Sequence, residues 1–349
     1  MKLNFIDKIL ILINSILIFF QMLLMGTFGD FHYFPLLNIL VPIFALANLI
    51  FFIYWIFIFK WPFILFIASL FIAHSDWSLL YKFPSNSISV SNGLKIMSFN
   101  VRLFNSYNWI GSDDIPNKIE SFILKEDPDV LCFQEFSFEK SPKFLNYKYR
   151  YIQSLTENGE NGLSILSKYP LYNKGLINFE NSNNGGIYSD LKYKNDTIRL
   201  YNLHFESLHL SSNDSMNTTG DSEKIKKRLD HVVKKIRQSK SRQQIEKIFN
   251  IQEKQVMKFN EIQEKNNYLS IVCTDLNNNA FSKPYSLLSS NYIDSFVQKG
   301  SGFGTTYEIS SIPFRIDFIL VDPRIEVVRF ETYDLSLSDH RPISAVVKL

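Results

Sequence analysis

The amino-acid sequence predicts a membrane-attached α+β protein, in which two or three transmembrane helices precede a water-soluble domain of mixed strands and helices. Three observations predict it. The chain has 349 residues, 46% of them hydrophobic, but residues 1–80 are largely apolar while Leu94 to Leu349 have a soluble composition. In that second part, short runs of Ile, Val, Leu and Phe recur at lengths that suit buried strands. Between the first two runs, apolar residues fall at helical spacing. A purely soluble or a disordered chain is thereby excluded, and Leu94 to Leu349 is long enough to bury a sizeable core. Lys and Arg number 37 against 34 Asp and Glu, a net charge of +3, so no global field announces nucleic acid as the partner.

The first apolar stretch runs from Ile9 to Met25 behind Lys2 and Lys8, interrupted by Asn14, Ser15 and Gln21. Small residues at a cleavage site are missing after Met25 and a second apolar run follows at once, so a retained helix is favoured over a signal peptide. Leu36 to Phe59 carries no charge and at ~1.5 Å per residue exceeds the ~30 Å hydrocarbon core. Trp61 to Ala73 is shorter and reaches membrane length only by including His74, Ser75 and Asp76, which gives a third expected span over 61–80. Lys2, Lys8 and Lys60 flank these spans, whereas Gly26 to Pro35 contains no Lys or Arg. By the positive-inside rule the amino terminus and Lys60 face the cytoplasm. Three spans then put the domain on the extracytoplasmic side, as expected here; two would put it inside.

Tyr81 to Gly93, rich in Ser and Asn with Pro84 and Gly93 at its edges, reads as a linker, and 94–349 as the domain it leads to. Strands are expected at Leu94–Val101, Val130–Phe136, Gly162–Ser167, Thr197–Phe205, Tyr268–Thr274, Arg315–Val321 and Pro342–Leu349. Ile115, Ile119, Phe122 and Ile123 predict an amphipathic helix over 115–125, closed by Asp127-Pro128. From Ser211 to Asn267 a polar loop gives way to helix, with Ile225, Leu229, Val232, Val233 and Ile236 on one face. Lys224 to Arg242 is the most basic stretch; a solvated helix face is its ordinary reading, and contact with an anionic bilayer or polyanion the sharper one. Cys132 and Cys273 fit neither a disulfide framework nor zinc spacing and read as buried apolar residues with free thiols. There is no internal repeat.

The chemistry is carried by what stands at the strand ends. Asn100 follows KIMSF, Glu135 follows VLCFQ, His204 follows LYNL, and Asp275 follows IVCT with Asn277 two residues on. Asp317 lies inside the apolar run RIDFILVD and requires a partner, while Asp339 and His340 stand just before the last strand. Taken singly, Asn100 reads as a turn residue, Asp275 as an Asx-turn and His204 as a satisfied half-buried imidazole. The set is harder to dismiss, because hard oxygen ligands without thiolates, two histidines and an acid partner suit a magnesium-type ion and phosphoryl chemistry.

In order and wording, MSFNVR, DPDVLCFQEF, GLSILSKYP, RLYNLHFES, CTDLNNNAFS, FRIDFILVD and LSDHRP resemble the endonuclease/exonuclease/phosphatase superfamily, the deoxyribonuclease I-like fold, over essentially all of Leu94 to Leu349. The run GSGFGTTYE is similar to members with membrane-embedded amino termini. The resemblance implies a four-layer α/β/β/α sandwich with its site at one edge. It implies Glu135 as principal ligand of a Mg²⁺ ion, with Mn²⁺ or Ca²⁺ as alternatives, Asn100 beside it so that both meet the ion and a phosphate oxygen, and Asp339 close to the metal. It implies that Asp317 orients His340, that Asp275 activates water, that Asn277 binds the phosphate and that His204 is a candidate general acid. One departure stands out: Thr274 replaces the glycine of the family's Gly-Asp-Phe-Asn, which is expected to crowd the backbone.

The expected function is therefore membrane-anchored, Mg²⁺-dependent phosphodiester hydrolysis, nuclease-like by default. A lipid or head-group phosphodiesterase, or a phosphomonoesterase, is the alternative within the class, and an inactive binding or envelope protein on the same fold is the alternative outside it. Expected partners are a phosphoester of nucleic acid or lipid and the bilayer itself. A transporter fits poorly, since the spans carry no charge except Asp76 at a margin.

Overall fold

The computed structural model describes residues 3–28, 35–84, 93–112, 114–156, 159–207, 239–309 and 312–349. Helix α1 (Phe5–Met25) opens on a capping box: the Asn4 side chain accepts from the Asp7 N–H at 2.8 Å, and the Asp7 carboxylate accepts from the Asn4 N–H at 2.7 Å. It closes on Gly26 at φ 89°, the left-handed cap that glycine takes most readily. A 3₁₀ turn, Pro35–Leu40, leads into α2 (Val41–Phe57). By length and composition, Phe5–Met25 and Leu37–Phe57 can each cross a membrane. The polar interruptions of α1 become its contact with α2. Asn14 donates to Asn48 at 3.0 Å, Asn48 donates to Gln21 at 2.7 Å, and Trp55 donates to Asn14 at 3.2 Å. In hydrocarbon such groups have no water to turn to, so they bond one another and fix how the helices pair.

The third expected span is two helices, α3 (Phe63–Ile72) and α4 (His74–Leu80), bent by 92°. At ~1.5 Å per residue α3 covers about half the hydrocarbon core. The polar end then turns aside, and Asp76 accepts from the Thr27 hydroxyl at 2.6 Å. Lys60 meets Asp7 at 2.5 Å. The segment between these contacts thus begins beside the first turn of α1 and ends just beyond its last.

The domain does not hang free of these helices. Leu24, Met25, Val41, Ala45 and Leu80 share one buried cluster with Phe281, and the Asn38 amide donates to the Phe281 carbonyl at 2.6 Å. Within the expected linker, Lys82 forms a β-bridge with Gly302, and the Tyr81 ring lies 5.2 Å from Phe83 and 5.0 Å from Phe303; residues 85–92 lie outside the described residues.

The first six strands of the domain are β1 (Leu94–Asn100), β2 (Val130–Phe136), β3 (Tyr149–Ser154), β4 (Gly162–Ser167), β5 (Leu171–Asn178) and β6 (Gly185–Tyr193). They are followed by β7 (Asp196–His204), β8 (Leu269–Asp275), β9 (Ile293–Asp294), β10 (Tyr307–Ile309), β11 (Ile312–Phe314), β12 (Asp317–Val321), β13 (Glu326–Thr332) and β14 (Ile343–Lys348). One six-stranded sheet has the order β13-β14-β1-β2-β4-β3 and the other β5-β6-β7-β8-β12-β9, while β10 and β11 form a hairpin. β1 runs parallel to β2 and β7 parallel to β8; their other ladders are antiparallel.

Strand alternation sorts the side chains into layers. Leu94, Ile96, Val130, Cys132, Leu163 and Ile165 of one sheet meet Ile198, Leu200, Ile271, Cys273, Ile319 and Val321 of the other. Met97, Phe99, Leu131 and Phe133 face outward beneath helix α5 (Ile115–Glu126), which buries Ile115, Ile119 and Ile123. Tyr201, Leu203, Val272 and Phe318 face outward beneath Val256 and Phe259 of α6 (Ser239–Gln263) and Tyr285 and Leu288 of α7 (Lys283–Ser289). A one-turn helix, α8 (Ser295–Lys299), is capped by Asp294. The result is the α/β/β/α sandwich. Cys132 and Cys273 are free and buried between the sheets; the neighbouring Cys273 thiol and burial hold the Cys132 thiol well above its ordinary pKa. The expected loop and helix over 211–237, and most of the basic stretch Lys224 to Arg242, lie outside the described residues.

Candidate active site

Parallel pairing brings the carboxyl ends of β1, β2, β7 and β8 to one edge of the sandwich, and the antiparallel neighbours bring the amino ends of β12 and β14 to the same edge. Asn100, His204 and Asp275 are the last residues of their strands and Asp317 is the first of its own. Asp275 is paired in register with both His204 and Asp317. Glu135 has φ 49° where the register shifts between Phe133 and Phe136, so a bulge rather than a regular pleat sets its direction. Thr274 pairs with Leu203 and Phe318 in ordinary extended backbone, so no left-handed angle calls for a glycine there.

The side chains of the predicted set meet. The Asn100 amide donates to Asp275 at 2.8 Å and to Glu135 at 3.1 Å. His204 Nε2 lies 3.6 Å from Asp275 and 3.8 Å from Glu135, and His340 Nε2 lies 3.7 Å from Asp275. His340 Nδ1 bonds Asp317 at 2.9 Å, supplying the partner that a buried carboxylate needs. Asp275 also accepts from the Asn277 N–H at 2.9 Å, while the Asn277 amide donates to the Phe205 carbonyl at 3.0 Å. Asp339 differs from the rest: it pairs with Arg102 at 3.2 Å.

Burial pushes the Asp317 carboxyl up to about 6 against the pull of His340. Burial alone would pull the His340 imidazole down, but Asp317 and Asp275 outweigh it and hold the imidazole well above its usual 6.5. The pair thus keeps a proton through neutral pH, with His340 as imidazolium. His204 is 4% exposed, and neither ring nitrogen has a hydrogen-bond partner among the described residues. A buried imidazole with both nitrogens open is costly unless a ligand meets it.

Asp275, Asp317 and His340 offer ligand atoms within 4.8 Å of one another that could hold a metal ion. His340 and Asp317 spend theirs on each other, however. Apart from that pair, the carboxylates of Glu135 and Asp275 both lie within 3.1 Å of one amide nitrogen, that of Asn100. Oxygen donors of this kind, without thiolates, fit a hard divalent cation. Asn100 turns its nitrogen rather than its oxygen toward them, because its Oδ1 accepts from the Arg102 N–H at 3.0 Å.

Several residues at the site escaped the sequence reading. Residues 102–105 have φ between 44° and 63°, a left-handed turn that sends Arg102 over the Trp109 ring at 4.3 Å and onto Asp339. Thr306 Oγ1 accepts from the Asp317 N–H at 3.2 Å, and Ser338 donates to the Asn100 carbonyl at 2.8 Å. Gln252 of α6, fully buried, donates to the Glu206 carbonyl at 2.7 Å and accepts from Asn278 at 2.8 Å, tying together the loops that follow β7 and β8. Below Asn100, Gln134 bonds Ser98 and Asn202 between the sheets. Of these, Trp109 and Gln252 lie outside the motifs that carry the resemblance; Arg102, Gln134, Thr306 and Ser338 lie inside them, with nothing in the local pattern to mark their contacts. The site opens into a cleft of about 580 Å³ lined by Arg102, Glu135, His204, Asn277, Asp339 and His340, by further asparagines, and by Ile39.

The family model described as the Endonuclease/Exonuclease/phosphatase family matches residues 97–340. No curated protein matches the chain by sequence. Among similar solved structures, the endonuclease/exonuclease/phosphatase from Bacteroides vulgatus is 16% identical, with a TM-score of 0.54 over 74% of this chain and 100% of that one. The human Nocturnin catalytic domain with bound sulfate anion is 16% identical, with a TM-score of 0.53 over 75% and 96%. D. rerio TDP2 complexed with a single-strand DNA product is 16% identical, with a TM-score of 0.50 over 74% and 100%. At these identities the likeness is one of fold.

Proposed function

Because the chain belongs to the endonuclease/exonuclease/phosphatase family, whose fold is that of phosphoester hydrolases, we propose that it is a membrane-anchored, Mg²⁺-dependent phosphodiesterase. The observation that carries the reading is the convergence of Asn100, Glu135, His204, Asp275, Asp317 and His340 at one sandwich edge. Glu135 supplies the principal metal oxygen, Asn100 orients it against Asp275, and Asp339 completes the polar surround. A divalent cation held there would neutralise charge on a phosphate oxygen. Asp275, held by Asn100 and the Asn277 N–H, positions a water and takes its proton as the new P–O bond forms. His340, kept cationic by Asp317, donates from Nε2 to a phosphate oxygen, and the amide of Asn277 donates to another. His204 gives its proton to the departing oxygen as the old P–O bond breaks. Two buried carboxylates, a cationic imidazole and a second, unpartnered imidazole are what an inactive scaffold would have no reason to keep desolvated.

Three passes of the membrane complete the proposal. Lys60 meets Asp7 at the end of α1 remote from the domain, and the chain returns along α1 to Thr27 before entering the domain. With Lys8 and Lys60 on the cytoplasmic side, the domain is extracytoplasmic. The test is hydrolysis of bis-p-nitrophenyl phosphate by the full-length protein with Mg²⁺ or EDTA. Activity should require Mg²⁺ and fall by ~10²- to 10⁴-fold in His340→Ala, the usual cost of losing a positioned proton donor. Parent-like turnover in that variant refutes the assignment.

A further inference from the structure

We infer that the cleft takes its phosphodiester from the bilayer surface, as the head group of an amphiphile whose apolar part stays in the leaflet on the domain's side. The inference rests on the phosphodiesterase reading above and names its substrate class.

The first ground is that a residue of the membrane anchor is a wall of the site. Ile39, in the turn that enters α2, is buried against Phe314 and Ile316 and lines the cleft with them, beside Tyr307. The apolar span that includes α2 begins at Leu37, so the wall of the cleft and the membrane-crossing helix are one continuous segment. The loop behind Asn277 is fixed to the same place, through Asn38 on the Phe281 carbonyl and the Phe281 side chain among Leu24, Met25 and Val41. The cleft therefore sits at the height of the helix ends, where hydrocarbon gives way to head groups.

Two further observations agree. Phe83 and Phe303 are 81% and 48% exposed and flank Tyr81 where the anchor joins the domain, the placement that aromatic side chains take at a membrane–water interface. Among the described residues lining the cleft, Arg102 is the one Lys or Arg, and Asp339 already pairs with it. Within that described lining, a single head-group phosphate beside an apolar wall meets two histidines, one arginine and neutral amides.

The test compares two diesters with the same scissile bond, methyl p-nitrophenyl phosphate and hexadecyl p-nitrophenyl phosphate, using the full-length protein in phosphatidylcholine vesicles with Mg²⁺. A single-stranded oligonucleotide is the third substrate. The hexadecyl ester should be hydrolysed ~10²-fold faster at equal bulk concentration when it shares vesicles with the protein, the gain expected from confinement to one surface. Its rate should follow mole fraction in the bilayer and vanish when protein and ester are in separate vesicles. Ile39→Asp should lower the hexadecyl-to-methyl ratio at least ~10-fold, and Phe303→Ser, at an exposed position, should lower it without disturbing buried packing. A ratio near one in the parent protein, or an oligonucleotide cleaved faster than the hexadecyl ester, overturns the inference and leaves the hydrolase standing. Failure to cleave any of the three with Mg²⁺ removes the hydrolase reading and this inference together.

Discussion

Asp317→Asn isolates the electrostatic partnership at the centre of the site. The substitution keeps the size and the acceptor of the side chain but removes the charge that faces His340 Nδ1 at 2.9 Å. A buried charge-assisted hydrogen bond contributes about 1.5–3 kcal/mol net against about 0.5–1.5 for a neutral one, so the loss is about 1–2 kcal/mol. That corresponds to about one pH unit in the imidazole and roughly 10-fold in the population of its cationic form once pH exceeds the new value. In the parent protein Asp317 and Asp275 hold His340 well above 6.5. In the proposed mechanism the cationic form is the competent one, so activity should persist below that raised value and be lost as pH rises through it. In Asp317→Asn the falling limb moves to lower pH by about one unit, and turnover on the alkaline side drops roughly 10-fold or more. The assay is a kcat/KM profile on bis-p-nitrophenyl phosphate at saturating Mg²⁺. A limb that stays within about 0.3 unit of the parent would show that His340 does not act through Asp317.

Other perturbations separate the remaining roles. Glu135→Gln should raise the Mg²⁺ concentration for half-maximal rate by roughly 10- to 100-fold, and an unchanged metal titration would remove Glu135 as the ligand. Asn48→Leu removes the bonds that Asn48 makes with Asn14 and Gln21; with each interhelical bond in a membrane at about 0.6–2 kcal/mol, the thermal midpoint in detergent should fall by a few degrees, and an unaltered midpoint would show that the polar trio is not stabilising. Single cysteines placed at Lys60 and at exposed Tyr172 should label from opposite faces of sealed vesicles, and labelling from the same face would refute three passes.

Legibility in the sequence followed burial. β1 and β2 are covered on both faces, so they appear as largely apolar runs, and the polar residues near their carboxyl ends, Asn100 and Glu135, are the ones that reach the edge. β3, β5 and β13 lie at or near sheet edges and alternate with exposed residues such as Tyr149, Tyr172 and Glu326; no apolar run marks them. Asn100, His204, Asp275 and Asp317 stand at strand ends, and strand pairing brings them to one edge. Arg102, Thr306 and Gln252 were hidden, since a left-handed turn and loop-to-helix hydrogen bonds leave no period in the chain. The contact of Asn38 with Phe281 joins segments too distant in sequence for any local pattern to announce it. The side-chain orientation of Asn100 likewise depends on the neighbouring turn, not on its own identity.

The trio Asn14, Gln21 and Asn48 has a mechanical consequence. Because these amides bond in one register only, α1 and α2 cannot slide past each other, and the turn bearing Ile39 cannot rise or sink independently of the domain it is packed against. In a thicker or thinner bilayer the accommodation must come from tilting of the whole assembly or from deformation of the lipid around it. If the protein is the membrane-anchored hydrolase proposed above, bilayer thickness would then set the angle at which the cleft meets the surface, and acyl-chain length would be a control on catalysis that acts without touching a single residue of the site.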